Sequence, residues 1–222
     1  MHTGRVQRSK LGEQVLAILN EMIANHRFEP GKRINVEELS RELGVSRTPL
    51  WEAVYRLQQE GLLVHVPNRG VFIAELTAEQ ALDLYAVRQI LEASAARLAA
   101  VRITPAALAR MEALLDAQGQ LVTRADLIGY SRSDFEFHAV VYEACGNPYL
   151  REMLERIKAK MRPIGLHIEK ILDELYRDHA LLLEALRAHD PERAEIAFRA
   201  HNQRVIQAIR EGMFAEKKLD AG

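Results

Sequence analysis

Hydrophobic positions along the chain follow two patterns, and the change falls near residue 76. Gly12 to Ala24 sets Val15, Leu16, Ile18, Leu19, Met22 and Ile23 at helical spacing, which predicts an amphipathic helix. Pro30-Gly31 breaks the chain. Asn35 then stands where it can cap a short helix carrying Val36, Leu39 and Leu43, and Gly44 ends that helix as a residue free to take positive φ. Ser46 is placed as the N-cap of a third helix. Pro49 is tolerated in its first turn, and Leu50, Val54, Leu57 and Leu62 face inward. After Gly61 the pattern turns β-like. Leu62 to Val66 and Val71 to Ile73 flank the turn Pro67-Asn68-Arg69-Gly70, and this predicts a small hairpin.

From residue 78 to 215 the pattern is helical throughout. Thr77-Ala78-Glu79-Gln80 reads as a capping box. Leu84, Val87, Leu91 and Leu98 follow it at helical spacing, and Thr104-Pro105, Asn147-Pro148 and Asp190-Pro191 are further helix starts. Six helices are expected, over roughly 78–101, 104–119, 124–145, 147–170, 173–189 and 191–214, with a loop near 118–123. The fold expected is mainly α. A winged helix-turn-helix domain (1–76) precedes an antiparallel all-α bundle of about six helices (77–222).

Composition narrows this little. The 222 residues are 48% hydrophobic, enough for buried cores. No apolar run approaches the roughly 20 residues that cross a bilayer, and Met1 to Lys10 is polar and basic. The expectation is a cytoplasmic protein with no membrane partner. Cys145 is the one cysteine, so no disulfide framework or thiolate cluster is available. Net charge is −1, and residues 1–75 hold ten Lys/Arg against nine Glu. Charge alone therefore gives no sign of nucleic acid.

The case for DNA rests on placement. A helix, a tight glycine turn and a second helix form the layout that enters a major groove. Ser46, Arg47 and Thr48 open that second helix. Arg47 can pair bidentately with guanine or clamp a phosphate, and Thr48 can donate to a phosphate. Arg33 and the hairpin-tip Arg69 flank them, and Gly70 permits close approach of backbone to DNA. The basic tail Arg5, Arg8 and Lys10 adds sequence-independent attraction. Two such helices on a near-palindromic double-stranded operator imply a homodimer.

The helical half carries a second chemistry. Asp134 and His138 lie four apart on one helix and share a face. His179 and His201 are each eleven residues from Asp190. At 1.5 Å per residue that is about 16 Å along each arm of a helical hairpin, so the rings sit level. Three histidines and a carboxylate can thus converge on one divalent ion. A thiol-free, histidine-rich set suits zinc or nickel, with manganese or iron as alternatives. His2, His26, His65, His167 and His189 show no such pattern.

The strings Glu29-Pro-Gly-Lys-Arg-Ile34, Leu43-Gly-Val-Ser-Arg-Thr-Pro-Leu50, Glu60-Gly-Leu-Leu63 and Asn68-Arg-Gly-Val-Phe-Ile73 resemble the GntR family of bacterial regulators. The resemblance implies DNA contacts by Arg33, Ser46, Arg47, Thr48 and Gly70. The family usually has arginine where this chain has Trp51. That arginine commonly contacts DNA in the family, so the resemblance implies that either the operator differs or a phosphate contact is lost; the alternative is that Trp51 packs against a neighbouring element.

The second half resembles the FadR-type ligand-sensing domain. The resemblance is carried by Tyr85-Ala-Val-Arg-Gln-Ile-Leu-Glu92, Asp134-Phe-Glu-Phe-His138, Gly146-Asn-Pro-Tyr-Leu150, Arg177-Asp-His179 and Arg199-Ala-His201. It implies that Asp134, His138, His179 and His201 hold a metal beside a small organic-acid effector. Arg88 is then either a carboxylate clamp or the ion-pair partner of Glu92, four residues on. The function expected is an effector-controlled transcriptional repressor. A metal-dependent hydrolase fused to a DNA-binding module, and a constitutive regulator with a structural metal, are the rivals.

Overall fold

Each helix start predicted from capping residues is found, and at all but the Ser46 cap a side chain satisfies backbone N–H groups that would otherwise have no partner. The computed structural model describes residues 6–25, 27–161 and 169–219. These fall into two compact units. One holds the chain up to Glu75 with a last helical stretch at 159–161, and the other holds Leu76 to Lys158 and the chain from 169 onward.

The first unit contains α1 (Val6–Ala24), β1 (Arg33–Ile34), α2 (Val36–Glu42), α3 (Arg47–Gln59), β2 (Leu63–Val66) and β3 (Gly70–Ile73). Asn35 Oδ1 accepts from Glu37 N and Glu38 N at 3.2 Å and so starts α2. Gly44 takes φ 64° and reverses the chain into α3. Ser46 holds the N-cap position of α3 with extended backbone, but its side chain makes no capping bond, so the hydroxyl of the expected cap is not spent on its own helix. Val15, Leu19 and Ile23 of α1 meet Leu50, Val54 and Leu57 of α3 in one buried cluster.

The hairpin pairs Leu63 with Ile73 and Val66 with Gly70. A strand absent from the sequence expectation, β1, adds to the far side of β3, pairing Arg33 with Phe72 and Ile34 with Val71. Two residues are too short to show alternation, which is why the pattern missed it.

The second unit contains α4 (Ala78–Arg102), α5 (Pro105–Thr123), α6 (Leu127–Ala144), α7 (Pro148–Met161), a single 3₁₀ turn (Glu169–Ile171), α8 (Leu172–Arg187) and α9 (Pro191–Leu219). Thr77 and Gln80 close the reciprocal capping box on α4. Asn147 Oδ1 accepts from Tyr149 N and Leu150 N, and Asp190 Oδ1 accepts from Arg193 N.

α4 runs antiparallel to α9, with Gln89 bonded to Arg199 and Gln203 and Arg97 to Glu192 and Glu195. Toward the C-terminal end of α4 the buried face is made of alanines, among them Ala95, Ala96, Ala99 and Ala100. These small side chains allow close packing against Phe137, Val141, Leu182, Leu186 and Phe198. Cys145 is buried there as well.

The loop expected near 118–123 is helical instead, and the break comes at Ala125, which takes φ 53°. Gly119 lies inside α5 because a β-carbon there would meet the Tyr176 hydroxyl at 3.3 Å, so this glycine serves packing rather than a turn. The fourth helix, expected to reach 170, is described only to Met161. Residues 162–168, with His167, lie outside the described residues. Among the described residues no helix is long and apolar enough to cross a membrane.

Candidate metal centre and DNA-reading face

In the first unit the polar residues of α3 lie opposite its buried face. Ser46, Arg47 and Thr48 are exposed at its start. Arg47 pairs with Glu37 at 2.8 Å, both well exposed. Such exposed pairs contribute about 0–1 kcal/mol, so a phosphate or base can replace Glu37 cheaply. The sheet brings Arg33 against Gly70. Gly70 has φ 107°, and a β-carbon there would lie 3.0 Å from Arg33 Nε. The Arg69 guanidinium lies 5.6 Å from the Phe72 ring centroid, which orients it at the hairpin tip. Arg5 and the side chains of Arg8 and Lys10 lie outside the described residues.

In the second unit, α6, α8 and α9 bring Asp134, His138, His179 and His201 together. One ligand atom from each lies within 4.8 Å of the others. His138 Nε2 is 3.1 Å from His179 Nε2, and Asp134 Oδ1 is 3.3 Å from the first and 3.5 Å from the second. The His179 and His201 rings stack at 4.6 Å. The 11-residue arms of the α8–α9 hairpin thus place both rings level.

What faces the other side of each ring decides what the centre can hold. Glu92 Oε1 is 2.7 Å from His138 Nδ1. A carboxylate only accepts, so Nδ1 carries a proton and Nε2 is turned toward the cluster. Gln118 Oε1 is 2.8 Å from His179 Nδ1 and has the same effect on that ring. Two Nε2 atoms at 3.1 Å need a positive centre between them, either a proton or a metal. His201 Nδ1 is buried and has no hydrogen-bond partner among the described residues. Carboxylate and amide acceptors behind ligating histidines are the arrangement that fixes imidazoles for a metal. The residues present therefore fit a divalent ion with nitrogen and oxygen ligands.

Glu92 is the deepest charge. It pairs with Arg88 Nε at 3.0 Å, accepts from Asn202 Nδ2 at 2.6 Å, and accepts a short hydrogen bond from the Tyr142 hydroxyl. Burial works to raise its carboxyl, but Arg88 and the His138 ring outweigh burial and hold it well below the usual range. Arg88 is thus the ion-pair partner of Glu92; its Nη2 lies 2.9 Å from His138 Nδ1, where two N–H donors face each other, so it is the carboxylate that binds both. Lys158 Nζ meets Asp134 Oδ2 at 2.9 Å and the Asp134 carbonyl at 3.0 Å. Burial lowers this lysine to about 8.

Sequence reasoning missed Gln118, Tyr142, Lys158 and Asn202. Gln118 sits seven residues after the buried Met111, and Lys158 four after the buried Leu154. A polar residue on an apolar stripe was the available signal.

A helix-turn-helix with a wing, followed by a helical unit with a polar centre, is the architecture of a DNA-binding transcriptional regulator. Residues 11–73 match the bacterial regulatory proteins of the gntR family, and residues 83–204 match the FCD domain. The chain belongs to the GntR family, in the branch that carries an FCD domain. It is 31% identical to the HTH-type transcriptional regulator McbR of Escherichia coli over 196 residues, 86% of this chain and 88% of that one. It is 37% identical to the Nta operon transcriptional regulator of Aminobacter aminovorans over 144 residues, 64% and 67% of the two chains. The solved structure of E. coli McbR/YncC superposes with a TM-score of 0.82 at 28% identity, covering 91% of this chain and 98% of that one.

The histidine centre has a consequence for stability. Burial and the neighbouring imidazoles lower His179 well below 6.5, and burial and the His138 ring bring His201 to about 3. Below about pH 6.5 the unfolded chain binds protons on these rings that the folded chain refuses, so stability falls as pH falls. Both rings act in the same direction, and each adds to the fall until it is protonated in the folded chain as well. Chelator-treated protein should melt at progressively lower temperature from pH 7 to pH 4.5. Melting temperatures that stay level over that range would contradict the burial of neutral histidines.

Proposed function

We propose that this regulator is a homodimeric repressor whose FCD unit holds a divalent transition metal on Asp134, His138, His179 and His201 and senses a small carboxylate beside it. The observation that carries this reading is the convergence of these four residues with the free nitrogens turned inward. A zinc or nickel ion, the ions this ligand set suits best, supplies a Lewis-acidic position for a carboxylate oxygen. Arg88 is the clamp for the remaining carboxylate charge, in competition with Glu92. The buried Gln118 Nε2, Tyr130 hydroxyl and Asn202 Oδ1 have no hydrogen-bond partner among the described residues and can serve a polar ligand. Repression rests on the likeness to RspR of E. coli, named a transcriptional repressor, at 26% identity over 204 residues.

In the first unit, Arg33, Ser46, Arg47, Thr48, Arg69 and Gly70 contact a near-palindromic operator. Ser46 has its hydroxyl uncommitted to the helix, and Arg47 has only an exposed ion pair to give up. Two copies are needed because one recognition helix reads only one half-site.

Three measurements test this. Zinc titration should give one site per chain, lost in His179→Ala. Gln118→Leu should weaken zinc about 10- to 100-fold while Gln118→Glu retains affinity; equal affinity in all three would remove Gln118 from the site. A thermal-shift screen of small organic acids should give stabilisation by a carboxylate only when metal is present. Stabilisation by metal alone, with no acid acting, would favour a structural ion. Arg47→Ala should weaken operator binding at least tenfold in a mobility-shift titration, and unchanged affinity would displace α3 from the groove.

A further inference from the structure

The outward face of α3 carries more than arginine and threonine. Its buried residues are Pro49, Leu50, Ala53, Val54 and Leu57. Successive residues advance by about 100° around a helix. Trp51 therefore projects between Arg47 and Thr48, one turn further along the same face. Its indole is 43% exposed, and Tyr55, one turn beyond, is 62% exposed. On this surface the Trp51 ring meets His65 of β2 edge-on, with centroids 6.4 Å apart and planes at 83°. The side chain is thus oriented by the sheet yet left open on the face that begins with Arg47 and Thr48.

A tryptophan there offers an apolar ring and one donor, Nε1–H, and no acceptor. Among major-groove edges, cytosine presents a donor at N4 and needs an acceptor. Adenine and guanine present polar edges alone. Thymine presents the C5-methyl, the one apolar group in the groove, beside the O4 acceptor. Both halves of the indole's chemistry are met by thymine.

We propose that Trp51 is a specificity-determining residue that packs on a thymine methyl in each operator half-site, with His65 fixing its orientation. This rests on the reading that Arg47 and Thr48 enter the groove.

Full-length protein should be used to select duplexes from a random library, alongside Trp51→Ala, Trp51→Phe, His65→Ala and Arg47→Ala. Wild type should require an A·T pair at one position per half-site, and Trp51→Ala should accept any pair there while keeping the others. In the selected duplex, replacing that dT by dU removes only the methyl. The substitution should weaken wild type about fourfold, the worth of one buried methyl group, and leave Trp51→Ala unchanged. Trp51→Phe should keep part of the dependence, and His65→Ala should weaken it. Because Trp51 is exposed, these variants should keep the wild-type circular dichroism spectrum.

Selection of the same sites by wild type and Trp51→Ala would overturn the inference. So would a G·C requirement at that position, or an equal dU effect in both proteins. If Arg47→Ala also leaves selection unchanged, the groove reading of α3 itself fails. If Arg47→Ala relaxes a different position while Trp51→Ala does nothing, only the thymine contact fails.

Discussion

A carboxylate with no exposure to water sets the terms for the helical unit. Glu92 is fully buried, and an ionised carboxylate away from water is tolerable only when paired and hydrogen-bonded. Its partners come from three helices: Arg88 on its own helix, His138 and Tyr142 on α6, and Asn202 on α9. Removing Arg88 leaves that charge without its ion-pair partner at depth, a loss of several kcal/mol on the usual scale for broken buried pairs. The close packing of α4 on α6 and α9 is thereby tied to one ionisation state.

The histidine centre inherits its geometry from that pairing. Because Glu92 accepts a hydrogen bond from Nδ1 of His138, the opposite nitrogen faces Asp134 and His179. Gln118 does the same for His179 from α5. Lys158 brings α7 to the far oxygen of Asp134, so the two oxygens of that carboxylate have separate tasks. Arg204 and Asp178 bind bidentately beside His179 and lock α8 to α9 at the same level. A centre whose converging residues come from α6, α8 and α9, and whose orienting groups come from α4 and α5, involves nearly every helix of the unit.

Much of this was legible in the sequence. The capping residues Asn35, Thr77, Thr104 and Asp190 gave helix starts because their side chains act locally. The level of His179 and His201 followed from counting along two helices from one turn. What was not legible depends on depth. Gln118 and Asn202 look like surface residues until the helices are packed. The Arg88–Glu92 pair needed coordinates, since a guanidinium four residues from a glutamate pairs with it or not according to burial. Gly119 misled because a glycine that makes room for Tyr176 cannot be told by pattern from one that turns the chain.

Any ligand can change the grip on DNA only through a difference in its affinity for two arrangements of the chain. The covalent layout narrows where such a difference can act. β3 ends at Ile73 and α4 begins at Ala78, so three residues and a cap join the wing to the helix that carries Arg88 and Glu92. Arg88 lies ten residues into α4, about 15 Å from its start. The Thr77–Gln80 capping box holds the first turn of α4 in place, and Ala74 leads into the link already buried. A polar ligand that draws Arg88 away from Glu92 unbalances a buried charge on this helix. α4 is also tied to α9 by Gln89 on Arg199 and Gln203 and by Arg97 on Glu192 and Glu195, so such an imbalance falls on a helix that is bonded along its packed face. In sequence, four residues separate that helix from β3, the last strand of the wing.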